Sequence, residues 1–162
     1  MRRASTSSRW TVVSSLYEDD VPELLSAIIP SGGASALGFS RAVGGMLVEC
    51  GEVDLIAPNN GSIAREVRDM FQRGRHHSLS VLCATQRPRD THRVVTSQSD
   101  MIAAFRQHEP RDAEYLDSVM GGRASGILTT LARYEHLRYY PNHGALQRVD
   151  ASGAVTTISG AP

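Results

Sequence analysis

The stretch Gly74-Arg75-His76-His77-Ser78-Leu79-Ser80-Val81-Leu82-Cys83-Ala84-Thr85-Gln86-Arg87-Pro88 decides how the chain is read. It runs as an arginine-bearing turn, a buried apolar strand over Leu79–Thr85, and a polar tip. Proline lacks the N–H that a sheet ladder needs, so Pro88 cannot extend the strand. The chain therefore leaves the sheet near Thr85-Gln86. That is the carboxyl end of the strand, where open α/β sheets place their ligands. Gln86 is the expected functional tip.

Upstream of this strand, Val43–Cys50 reads as a second strand, and residues 51–61 as a loop. Ser62–Arg73 carries Ile63, Val67, Met70 and Phe71 on one face of an amphipathic helix, with Ser62 as its cap. Further back, Trp10–Tyr17 has the aromatic and β-branched content of a strand. Val21–Ile29 reads as a helix that Asp20 caps and Pro22 opens. Ala34–Ala42 stays ambiguous.

Downstream, Asp90–Gln98 reads as a loop or short helix and Asp100–Arg106 as another buried strand. Pro110–Met120 forms a helix with Ala113, Leu116 and Val119 inward, closed by Gly121-Gly122. Ile127–Leu131 is a short segment. Glu135–Tyr140 and Ala145–Val149 are strands on either side of Pro141-Asn142-His143-Gly144, and Ala154–Ile158 is a last strand. Strands that are apolar throughout and alternate with helices indicate an α/β fold with a mostly parallel sheet covered on both faces.

A length of 162 residues suits one domain with one core, and 41% hydrophobic with 21% charged residues is a globular balance. The expected organisation is a flexible basic, Ser-rich tail over 1–9, a core over 10–150 and a C-terminal strand and tail over 151–162. No apolar run approaches the roughly 20 residues of a spanning helix, and no signal core is legible, so a cytoplasmic protein is expected. Cys50 and Cys83 both lie in apolar runs and read as small buried hydrophobes. The six histidines show no zinc-ligand spacing, and no metal site is expected.

Formal charge is zero, so bulk electrostatics gives no general pull toward nucleic acid. The composition of that zero says more: all 17 basic residues are arginine. Without lysine, Schiff-base chemistry and the phosphate-binding lysine of a P-loop are both excluded.

Four features in order, from Met46 to Gly121, resemble the second half of an FtsK/HerA-type P-loop ATPase motor domain. The first is a hydrophobic strand through Met46-Leu47-Val48 to Glu52, followed by Ile56-Ala57-Pro58-Asn59. The second is a helix running into Gly74-Arg75-His76. The third is the strand Val81–Thr85 ending in Gln86-Arg87-Pro88. The fourth is His92-x-x-Val95-x-Ser97-Gln98-x-Asp100 running into Ala104-Phe105-Arg106, with Glu109-Pro110-Arg111-Asp112, Tyr115-Leu116 and Met120-Gly121 beyond it.

The resemblance implies an incomplete RecA-like domain with small C-terminal β additions. It gives Glu52 the place of the carboxylate that activates the attacking water, with Gly51 where the family has a Mg²⁺-holding Asp. A second register puts Glu49 in the Asp place and Cys50 in the Glu place; in both registers the Walker B motif is degenerate. Gln86 matches the family's polar sensor of the γ-phosphate, and Arg75 the arginine that reaches a neighbouring subunit's nucleotide. Arg87 and Arg89 become candidates for nucleic-acid backbone contact. Each has a plainer role open to it: a solvated loop charge for Glu52 and the arginines, a turn cap for Gln86.

The family's Gly-x₄-Gly-Lys-Ser/Thr loop is absent, and with it the P-loop strand and helix. ATP and Mg²⁺ are therefore expected only where a P-loop is supplied from elsewhere. The resemblance implies a DNA-translocating or packaging motor in partial form, in an oligomer of like or unlike motor subunits, and hydrolysis-incompetent alone. Two alternatives are a non-catalytic interaction subunit that lends Arg75 in trans to a P-loop partner, and a truncated gene product. Without the P-loop strand, Leu79–Thr85 has an open edge. Met101–Phe105 closes against it, a partner chain covers it, or the chain is a fragment.

Overall fold

A computed structural model describes residues 46–77 and 79–158. The expected tail over 1–9, strand Trp10–Tyr17, helix Val21–Ile29 and the segment Ala34–Ala42 lie outside the described residues. The chain divides into two compact units, one through Gln86 and one from Arg87 onward.

The first unit holds strand β1 (Met46–Cys50), helix α1 (Val53–Ile56), helix α2 (Arg65–Arg73), a 3₁₀ turn (Gly74–His77) and strand β2 (Leu79–Cys83). β1 and β2 pair in parallel, with Val48 opposite Val81 and Cys50 opposite Cys83. Successive side chains alternate across a strand. Val48, Cys50, Leu79, Val81 and Cys83 therefore share one face, which is half-buried or buried. Leu47, Glu49, Ser80 and Leu82 share the other, and it is exposed.

The expectation of a wholly buried strand at Leu79–Thr85 is corrected accordingly. Leu82 is 54% exposed and Leu47 43%, because among the described residues the apolar packing of this strand pair falls on its other face. Cys50 and Cys83 are half-buried and free, not fully buried hydrophobes.

α2 buries Val67 and Met70, as the periodicity requires, but begins at Arg65. Its first turn closes by Arg68 N–H donating to the Ala64 carbonyl, so Ala64 and not Ser62 is the cap. At its other end Gly74 lies against Leu79: a Cβ there would stand 3.1 Å from Leu79 Cδ2. Glycine leaves room there for the Leu79 side chain, which returns over the helix end after the 3₁₀ turn. Residues 51–61 are not all loop, since α1 fills Val53–Ile56 with Val53 and Ala57 buried.

The second unit contains a 3₁₀ turn (Pro88–Asp90), helix α3 (Arg93–Ser97), strand β3 (Ile102–Phe105), helices α4 (Pro110–Val119) and α5 (Ser125–Leu128), and strands β4 (His136–Tyr140), β5 (Ala145–Val149) and β6 (Val155–Thr157). The strands form an antiparallel sheet in the order β3-β4-β5-β6. The β4–β5 hairpin turns through Pro141–Gly144, where Gly144 takes a φ of +60°. α4 ends at Gly121 and Gly122, both with positive φ, which glycine adopts without steric cost.

The core of this unit is Ala104, Leu116, Met120, Ala124, Leu128, Leu131, Leu137 and Leu146. Each buried Leu contributes about 1.5–3 kcal/mol relative to exposure. The core lies on one face of the sheet, alternating with outward Ala103 and Phe105 along β3. Phe105 is 54% exposed, which corrects the reading of Asp100–Arg106 as a buried strand.

The architecture is α/β, with a small parallel pair and antiparallel C-terminal additions. The parallel pairing is confined, among the described residues, to β1 and β2. β3, which holds the Met101–Phe105 segment apart from its first residue, pairs with β4, Phe105 opposite His136. The last strand, expected over Ala154–Ile158, is β6, and it pairs with β5.

Candidate functional site

The carboxyl ends of β1 and β2 place Glu52 and Gln86 on adjacent segments. Beyond the strands proper, Ala84 N–H donates to the Cys50 carbonyl at 2.8 Å, and Val53 N–H donates to the Ala84 carbonyl at 2.9 Å. The two chain segments thus leave the sheet side by side, Gly51-Glu52 from one strand and Thr85-Gln86 from the other. Both Glu52 and Gln86 are exposed.

Glu52 occupies the N-cap position of α1, but its side chain makes no capping bond. At Gly51 a Cβ would meet nothing within 4 Å, so the backbone beside Glu52 borders open space.

Behind these two residues the Thr85 hydroxyl donates to Asp54 Oδ1 at 2.6 Å. Asp54 sits in the first turn of α1, where an acid also complements the helix dipole. The bond ties the segment carrying Gln86 to the helix that Glu52 opens. Sequence reasoning passed over Asp54, whose partner Thr85 lies 31 positions away along the chain.

Arg75 stands apart from this pair. It is exposed, on the 3₁₀ turn that enters β2, whereas Gln86 follows the opposite end. Five residues of strand at about 3.3 Å each separate those ends by roughly 16 Å.

Arg87 and Arg89 belong to the second unit. Arg87 Nη1 lies 4.0 Å from Asp90 Oδ2, both side chains well exposed. Such an exposed pair contributes at most about 1 kcal/mol. The Arg89 backbone N–H donates to Asp112 Oδ1 at 3.0 Å, anchoring the 3₁₀ turn to the first turn of α4. The Arg89 side chain lines a shallow open cavity of about 460 Å³ with Arg111, Glu114 and Tyr115. The Tyr115 hydroxyl meets Thr96 Oγ1 at 3.0 Å, so it is held in place at that wall. Asp112 and Arg111 were not singled out individually from the sequence; the acid at Asp112 proves to be nearly buried, at 8% exposure.

His92 caps α3, its Nδ1 accepting from Val94 N–H at 3.1 Å. That bond uses the neutral Nδ1 lone pair. Among the described residues no group of three His, Cys, Asp or Glu side chains is gathered tightly enough to hold a metal ion. The strand tips offer one carboxylate and one carboxamide. They offer no lysine and no glycine-rich run of N–H groups with which to cradle a phosphate.

No protein-family model matches the sequence, and no curated protein matches it. Solved structures do. The genome packaging NTPase B204 from Sulfolobus turreted icosahedral virus 2, in complex with ATP-gammaS, superposes with a TM-score of 0.66 at 19% identity over 89% of this chain. The same protein in complex with sulfate gives 0.66 and 19% over 91% of this chain. B204, the DNA-packaging ATPase from Sulfolobus turreted icosahedral virus, gives 0.60 and 19% over 78% of this chain.

The fold is similar to part of the fold of these NTPases.

This chain spans about three-fifths of the length of those structures: 62%, 64% and 58% respectively. The likeness extends to a P-loop NTPase-like α/β fold. Among the described residues no helix is long and apolar enough to cross a membrane.

Proposed function

We propose that this chain is the hydrolysis-sensing part of a P-loop motor ATPase that packages or translocates DNA. The observation that carries the reading is the hydrogen-bonded pairing of the two strand tips through Cys50, Val53 and Ala84. It sets Glu52 and Gln86 on neighbouring segments, which supports reading them as a water-activating carboxylate and a phosphate sensor. The packaging NTPase fold supports the same reading.

In this reading the Glu52 carboxylate orients and deprotonates the attacking water. The Gln86 carboxamide donates to the γ-phosphate and accepts from that water, and the Asp54–Thr85 bond holds it at the correct height. Electrostatic positioning of this kind supplies most of the acceleration in phosphoryl transfer. Arg87 and Arg89 follow Gln86 directly in the chain. They contact nucleic-acid phosphates, with Arg111 beside Arg89 at the same cavity. ATP and Mg²⁺ reach Glu52 only when a P-loop from outside this sequence holds them, because the chain contains no lysine. Motor subunits of this kind work as oligomers, and DNA is the polymer moved.

The test is ATP turnover with and without a separately supplied strand–P-loop–helix segment and duplex DNA. Alone, the chain stays far below the roughly 1–100 per second of good phosphoryl-transfer enzymes. With the segment, turnover rises, and Glu52→Gln removes the rise by a factor of at least about 100, the scale of one general base. Turnover at motor rates by the chain alone, or a Glu52→Gln protein as active as the parent, rejects the reading.

The exposed position of Arg75 at the far end of β2 supports a second reading. A non-catalytic subunit would use that guanidinium in trans, on a partner's nucleotide. Such a chain stimulates a P-loop partner through Arg75 alone: Arg75→Ala abolishes stimulation, whereas Glu52→Gln leaves it intact.

A further inference from the structure

Cys50 and Cys83 are register partners at the ends of neighbouring parallel strands. Partners in a ladder point to the same face, and strands lie about 4.8 Å apart. That separation falls inside the roughly 4.4–6.8 Å Cα window that a disulfide spans. The hydrogen bonds Ala84 N–H to Cys50 C=O and Val53 N–H to Ala84 C=O continue the ladder immediately past both residues. Neither strand end is free to carry its thiol away from the other. Both thiols are free and half-buried, close enough to solvent for a small reagent.

The pair is also asymmetric. The Cys83 thiol donates a hydrogen bond to the Cys50 sulfur, which holds the Cys50 thiol below its ordinary pKa against the opposing effects of burial and Glu49. The same bond, with burial, pushes the Cys83 thiol up. One sulfur is prepared to attack and the other to follow.

We propose that Cys50 and Cys83 form a redox-active dithiol, a modification site whose oxidants are low-molecular-weight disulfides. The Cys50 thiolate attacks one sulfur of the oxidant, forming a mixed disulfide and expelling one thiolate, which takes up a proton. Cys83 then loses its proton to solvent and attacks the Cys50 sulfur, expelling the second thiolate, which is protonated in turn. The two cysteines lose two electrons and two protons together, and the oxidant is reduced to two thiols. The product is a bond across β1 and β2 that ties Gly51-Glu52 to Ala84–Gln86. The dithiol is independent of the motor reading and is tested without nucleotide.

The experiment exposes the reduced full-length chain to oxidised glutathione, followed by iodoacetamide, intact mass and peptide mapping. The expected product is monomeric, carries no glutathione, takes no alkyl group and yields a Cys50–Cys83 linked peptide; dithiothreitol restores both thiols. Cys83→Ser retains glutathione on Cys50, and Cys50→Ser yields no linked peptide within the chain. A parent chain with glutathione on each cysteine, a disulfide between chains, or unimpaired alkylation of both thiols overturns the proposal. Phenylarsine oxide checks it without any variant. One arsenical per chain that blocks both cysteines supports the dithiol; none, or one on each sulfur, overturns it.

Discussion

Thr85 donates a 2.6 Å hydrogen bond to Asp54 across 31 positions of the chain. It is a part-buried bond to a carboxylate, and it links the two segments on which Glu52 and Gln86 stand. Hydrogen bonds to charged groups contribute about 1.5–3 kcal/mol. Thr85→Val and Asp54→Ala should each lower the unfolding free energy by about 1–3 kcal/mol in urea titrations. The double variant should lose less than the sum of the two. Full additivity would show that the pair does not act as a unit.

Asp112 should hold the 3₁₀ turn after Gln86. Its buried Oδ1 accepts from Arg89 N–H, and Asp112→Ala leaves that N–H without its acceptor. A cost of about 1–3 kcal/mol is expected. Hydrogen exchange at the Arg89 amide is the direct readout: protection falls in the variant, while Leu146 in the core sheet keeps its protection. Unchanged exchange at Arg89 would remove Asp112 from this role.

Acid should weaken the hairpin end of the second unit through Glu135. Its carboxylate accepts from Ala132 N–H at 2.8 Å and from Arg148 Nη2 at 2.8 Å. These bonds, the backbone one first, hold its pKa below the ordinary carboxylate value. Asp150 is lowered likewise, by Ser152 hydroxyl and then Ala154 N–H. A depressed folded pKa gives stability that is complete above the unfolded value, about 4.3 for Glu and 3.9 for Asp, and is lost as pH falls through the folded one. The urea midpoint of the parent should therefore fall below about pH 4 toward that of Glu135→Gln, and the difference between them should be largest near neutrality. A difference independent of pH would contradict the assignment.

Leu137 and Leu82 should respond oppositely to truncation although both are strand leucines. Leu137 is fully buried in the antiparallel sheet, whereas Leu82 is 54% exposed. Leu137→Ala is expected to cost about 2–5 kcal/mol, and Leu82→Ala to stay within about 0.5 kcal/mol. Thermal unfolding of the two variants side by side decides it.

Most elements from Met46 onward were legible because their signals are local. The amphipathic period at Val67 and Met70 and the glycines after α4 required no distant partner. The same holds for the Pro141–Gly144 turn between β4 and β5. Glu52, Gln86 and Arg75 were singled out through a motif order that also lies along the chain. Asp54, Asp112 and the Cys50–Cys83 register were not, because each acquires its role from a residue more than 20 positions away.

By itself the amino-acid sequence determined what chemistry is available: no lysine for a phosphate loop, a strand that must stop before Pro88, and an amphipathic helix that buries Val67 and Met70. Tertiary structure alone decided which strand β3 joins, which face of β2 meets water, and which thiols and carboxylates meet. Covalent composition and backbone propensity act within a few residues. Strand pairing and burial instead depend on contacts between segments that only the folded chain brings together.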